Sequence, residues 1–110
     1  MANVYKRLAA TAVTANTNTL LYQTSTGKAT VISSIFVCNT STSTGTFRIA
    51  VCPGAIGSVA IQDYIYYDIP IYGNDTYCST TGITMAANST IMVRASSANT
   101  VFSVFGSEIS

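Results

Sequence analysis

The feature that most constrains this chain is a two-residue hydrophobic alternation that recurs from end to end. In TVISSIFVC (residues 30–38), an extended backbone puts Val31, Ser33, Ile35 and Val37 on one face and Ile32, Ser34, Phe36 and Cys38 on the other. FRIAV, IMVRA and VFSVFG repeat the pattern with β-branched and aromatic residues, which suit a pleated, half-buried surface. No window of a dozen residues carries the i, i+3, i+4 spacing with caps that a helix needs. Turn signals punctuate the runs: TSTGK around Gly27, NTSTSTG at 39–45, CPGAIGS at 52–58, YGND at 72–75, AANS at 86–89 and Ser97-Ala98-Asn99. The spacing predicts about eight strands, near 4–12, 19–23, 29–38, 46–52, 63–71, 76–83, 90–96 and 100–109. The fold class is therefore all-β: a single antiparallel β-sandwich or jelly roll spanning residues 1–110, with 1–10 either a first strand or an arm reaching a neighbour. One domain is what 110 residues accommodate.

DYIYYDIPI (63–71) is the most unusual strand. Strict alternation sends Ile65, Tyr67, Ile69 and Ile71 towards the core and Tyr64 and Tyr66 outwards, where tyrosine suits half-wet contact with a partner. A cross-strand aromatic pair on an outer sheet face is the plainer reading. Pro70 cannot donate to a central ladder and places the strand at an edge or near its end. The longest connection, 53–62, contains Ile56, Val59 and Ile61 beside Gly54 and Gly57. Apolar residues there imply that it packs on something.

Charge and residue usage exclude several functions. Charged residues are 8% of the chain, against roughly 25% in ordinary soluble domains. The deficit is filled by Ser and Thr. The basic residues Lys6, Arg7, Lys28, Arg48 and Arg94 are scattered, whereas phosphate backbones require clustered cations, so no nucleic-acid partner is expected. No apolar run approaches the ~20 residues of a membrane span. MANVYKRLAATAVTA imitates a secretory signal, but its apolar stretch is too short. There is no histidine, which removes the commonest general base and metal ligand. Asp63 and Asp68 have opposite parity, and Asp75 lies in a turn where it caps backbone amides. No catalytic, cofactor or metal site is expected. Cys38, Cys52 and Cys78 show no metal-binding or CxxC spacing and read as small strand hydrophobes, with one disulfide as the alternative. The alternating threonines of TSTSTGT (40–46) lack the fixed repeat of an ice-binding face and read as a flexible loop. A glycan-binding module is a more substantial competitor: Tyr64, Tyr66, Tyr72 and Tyr77 would stack on sugars beside Asp68, Asn74 and Asp75.

Five segments in order, LLYQTSTGKATVISSIFVCN (20–39), TFRIAV (46–51), DYIYYDIPIYGNDT (63–76), GITM (82–85) and VFSVFGSEI (101–109), resemble small β-rich virion proteins of tailed bacteriophages, particularly cyanophages. Tyr22, Val37-Cys38-Asn39, Phe47 to Val51, Tyr64 to Asp68 and Phe105 to Ile109 carry the resemblance. The turn at 24–28 lacks that group's proline, and Thr40 and Cys52 stand where basic residues are usual. The resemblance implies a non-enzymatic capsid decoration, or cement, protein. It would bind the outer surface of the major capsid protein lattice as a homo-oligomer, with a trimer favoured by the threefold points of such lattices. A tail, neck or fibre component is the alternative. The contact residues expected are Val4, Tyr5, Lys6 and Arg7 of the amino-terminal segment, then Tyr64 and Tyr66, then Ile56 and Val59 of the long connection.

Overall fold

In the computed structural model, residues 5–54 and 59–109 are described, the side chain of Thr81 excepted. The strands are β1 (Lys6–Ala12), β2 (Thr19–Gln23), β3 (Ala29–Asn39), β4 (Gly45–Cys52), β5 (Tyr64–Ile71), β6 (Thr76–Met85), β7 (Thr90–Ala95) and β8 (Thr100–Ile109), with a 3-10 turn at Ile61–Asp63. Each begins and ends within two residues of its expected place. They form two antiparallel sheets: sheet A in the order β1-β8-β3-β6 and sheet B in the order β2-β7-β4-β5. Only β4 and β5 pair with an immediate sequence neighbour. Every other connection crosses between sheets, which is the double Greek-key winding of a jelly roll.

The core lies between the sheets. Ile32, Ile35, Val37, Phe102 and Val104 from sheet A meet Phe47, Ile49, Ile91 and Val93 from sheet B, all without solvent exposure. The Phe47 ring centroid is 6.3 Å from that of Phe102 and 5.4 Å from that of Tyr77. Turn residues account for the corners. Asn16, Asn74, Asn88, Asn99 and Gly27 hold positive φ, the region asparagine and glycine enter most readily. Asp75 caps the start of β6, its Oδ1 accepting the Thr76 amide at 2.8 Å.

Three expectations are corrected. First, the loop after β3 is pinned by Asn39, which is fully buried. Its Nδ2 donates to the carbonyls of Ser43 (2.9 Å) and Ile71 (3.2 Å), and its Oδ1 accepts the Ser41 amide (3.0 Å). Second, alternation breaks within β3. A bulge between Ile32 and Ser34 turns Ile32 inwards with Ile35 and Val37, leaving Phe36 and Cys38 outside.

Third, β5 contains two irregularities, opposite Ile49/Ala50 and opposite Arg48. At the second, Asp68 has φ 52°, a left-handed residue inserted in a strand. Tyr66, Ile69 and Ile71 therefore pack inwards, while Tyr67 (48%) and Ile65 (42%) are exposed. Tyr66 is thus not an outward contact residue: its hydroxyl lies 2.5 Å from Ser79 Oγ, bridging the sheets. The strand does sit at a sheet edge, as Pro70 requires.

Candidate functional site

The registers define what each sheet shows to solvent. On sheet A, rows run Ala12–Val101–Cys38–Thr76, Ala10–Ser103–Phe36–Cys78 and Arg7–Phe105–Ser34–Thr80. Phe36 and Phe105 meet edge to face with centroids 5.6 Å apart. Apart from Val101 and from Arg7, the one charge in these rows, every other side chain in them is small or hydroxylated. Cys78 is exposed, Cys38 half-buried and Cys52 buried, and no disulfide joins them. The expectation that all three are buried hydrophobes therefore fails for Cys78, whose strand lies at the sheet edge.

Sheet B is different. Leu20, Met92, Ala50 and Tyr64 form one outer row across four strands, yet Met92 and Ala50 have no exposure. The two middle side chains of this row are therefore covered, whereas Leu20 at its end is 46% exposed. The connection from β4 to β5 is the segment in reach, since its 3-10 turn contacts β4. Val59 and Ala60 there are half-buried, and Asp63 closes the turn by accepting the Ala60 amide at 2.8 Å. Of the apolar residues that imply packing of this connection, Val59 is half-buried, Ile61 is 76% exposed and Ile56 lies outside the described residues, so the expectation holds for Val59 and fails for Ile61.

One row further along the same face lies a polar cluster. Arg48 and Arg94 stand directly opposite each other on β4 and β7. Arg48 donates from Nε to Asp68 Oδ1 (2.6 Å) and from Nη2 to Oδ2 (3.2 Å). Its guanidinium carbon sits 4.1 Å from the Tyr67 ring centroid, and Tyr67 in turn meets Tyr64 edge to face at 4.9 Å. The bulge is what permits this, because it delivers Asp68 and Tyr67 to the face that Arg48 occupies. The bonds from Arg48 hold the Asp68 carboxyl below its ordinary range, with a further electrostatic contribution from Arg94. A cleft of about 160 Å³ opens here, lined by Arg48, Asp68, Arg94, Asn16, Thr46 and Ser96 among others.

The contact residues expected from sequence do not converge. Tyr5 is 69% exposed. Lys6 and Arg7 begin β1, paired with Gly106 and Phe105, so these two positions belong to a sheet edge and not to an arm. Tyr64 lies on the opposite sheet and Val59 in the connection leading to it, Tyr66 is inside, and Val4 and Ile56 fall outside the described residues. The stacking set of the glycan reading also separates, since Tyr66 and Tyr77 face each other across the interior at 5.6 Å. Phe36, Phe105, Arg48 and Arg94 form the surfaces instead. Their outward parity was readable for Phe36, but the partners depend on long-range register. Among the described residues, no three His, Cys, Asp or Glu side chains gather as a metal site.

No family model matches this chain, nor does any curated protein or solved structure.

Proposed function

We propose that this chain is a non-catalytic structural protein of a tailed-bacteriophage particle. It decorates the capsid by binding, as a small homo-oligomer such as a trimer, to the outer surface of the major capsid protein lattice. The observation that carries the reading is the outer face of sheet A: a four-strand surface with two adjoining phenylalanines, hydroxyl-bearing neighbours and one charge. Interface cores are depleted in charge and enriched in aromatic residues, and a face with a single charge lets many copies crowd with little mutual repulsion. The sequence motifs add the virion context. The jelly-roll winding agrees with it by analogy only, because viral capsid and lectin domains share that architecture. Stabilisation would be additive, each copy burying a modest area across a capsomer seam while symmetry multiplies the effect.

Copy number in purified particles tests the location. Hundreds of copies are expected of a head protein, and cryo-EM density for this chain on the tail alone would eliminate the cement role in favour of a tail, neck or fibre component. The face is tested by changing Phe36→Ser and Phe105→Ser together and measuring co-sedimentation with particles lacking the protein. Binding should be lost while the soluble chain stays folded, and particles so left undecorated should release DNA at lower temperature.

A further inference from the structure

The cleft on sheet B holds more positive charge than its own contacts use. Like charges directly opposite on neighbouring strands destabilise a sheet, yet Arg48 and Arg94 occupy such a pair. One carboxylate stands with them, so the three side chains sum to +2 − 1 = +1. That carboxylate is already engaged at both oxygens by Arg48. Arg94 donates from Nη1 to Asn18 Oδ1 at 3.2 Å, which leaves most of its five N–H donors for another acceptor. Three backbone amides of the wall are already engaged within the fold. The Thr46 amide goes to Ser96 Oγ (2.8 Å), the Ser96 amide to the Thr46 carbonyl (2.9 Å) and the Asn16 amide to the Ala95 carbonyl (2.7 Å).

We propose that this cleft binds a single carboxylate, carried by a partner chain or by a small molecule, with Arg94 as the planar two-pronged donor and the Arg48–Asp68 pair as the fixed wall beside it. The guanidinium fork matches a carboxylate in geometry. The surplus of one positive charge matches a monoanion, whereas a phosphate dianion would add a second negative charge against Asp68. This site goes beyond the adhesive reading and does not depend on it.

The test uses the purified full chain, so its failure is separate from any failure of particle binding. Arginine Nε–Hε NMR resonances are followed during titration with sodium acetate at constant ionic strength set by chloride. Arg94 should shift saturably, with a dissociation constant on the order of millimolar for so small a ligand, and Arg48 should shift less. The Arg48 resonance, which survives substitution of Arg94, should stop responding in Arg94→Gln, and in Arg94→Lys, which keeps the charge without the fork, its apparent affinity should weaken several-fold. A linear shift without saturation, an undiminished response in Arg94→Gln, or tighter binding of phosphate than of acetate would overturn the assignment. The phosphate comparison on the parent chain decides even where a variant fails to fold. An acetylated, amidated aspartate tripeptide distinguishes the sources. Binding at least tenfold tighter than acetate identifies a chain-borne carboxylate, and equal binding identifies a free one.

Discussion

Truncating Tyr66 separates the bulged strand from a strictly alternating one. Alternation puts this ring outside the sheet, where its loss costs little. The structure puts it between the sheets, with centroids 6.0 Å from Phe47 and 5.6 Å from Tyr77 and its hydroxyl on Ser79, which is 4% exposed. Removing a buried aromatic ring costs about 3–5 kcal/mol, and the partial exposure of Tyr66 places Tyr66→Ala near the lower end. Tyr66→Phe keeps the ring but strands a buried hydroxyl on Ser79, which costs about 1–2 kcal/mol. Changing Ser79→Ala as well removes both partners, so the double variant should lose about as much as one single variant and not the sum. At roughly 4 °C per kcal/mol for a domain of this size, Tyr66→Ala should melt about 12 °C lower than the parent. Tyr64→Ala on the outer face should cost no more than about 1 kcal/mol. Urea and thermal unfolding followed by near-ultraviolet circular dichroism would read these variants and the Ser79→Ala single. Equal costs for Tyr66→Ala and Tyr64→Ala, or additive costs for Tyr66→Phe and Ser79→Ala, would refute the inward assignment.

Other regions give sharper contrasts. A Cβ at Gly106 would collide with the Val31 carbonyl oxygen, whereas one at Gly82 would meet nothing within 4 Å; Gly106→Ala should therefore cost about 3 kcal/mol or more, and Gly82→Ala should stay within about 0.5 kcal/mol of the parent in the same unfolding assay. Asn39→Ala abandons the Ile71 and Ser43 carbonyls and the Ser41 amide, so it should cost about 3 kcal/mol and speed amide hydrogen exchange at 41–44 ahead of the sheets. The contact of Tyr22 with Glu108 (2.8 Å) should shape both ends of the pH profile. Hydrogen bonds from Tyr22, and then from the Ser25 amide, hold Glu108 below the ordinary glutamate range, so its stabilisation is present above that range and is lost as pH falls through the lowered value. Burial, and then the acceptor Glu108, raise the Tyr22 hydroxyl above the ordinary tyrosine value, so its contribution is complete below that value and disappears as pH rises through the raised one. Tyr22→Phe should flatten both limbs, and unchanged slopes in denaturation midpoint against pH would contradict the contact.

The strands were legible because their signal is local: alternating β-branched residues and Gly or Asn turns lie within a few positions of what they determine. Faces are less local, because one inserted residue reverses every later side chain. In YIYYDIPI, Tyr66 and Ile69 both point inwards although they are three apart, a spacing that only an extra residue reconciles. The trace of that insertion in the sequence is Asp68 itself, one of the few residue types besides glycine that enters the left-handed region readily. The charged cleft was less legible still. Arg48 and Arg94 lie 46 positions apart in the sequence and read as scattered cations; the register between β4 and β7 alone sets them face to face. The same bulge that defeats the alternation brings Asp68 beneath Arg48 and lays Tyr67 against its guanidinium, so the departure from strand geometry and the assembly of the cleft have one cause. A sequence feature that breaks a strand's periodicity without breaking the strand is thus where this chain builds its most specific surface, consistent with the enrichment of bulges where a side chain must be re-aimed.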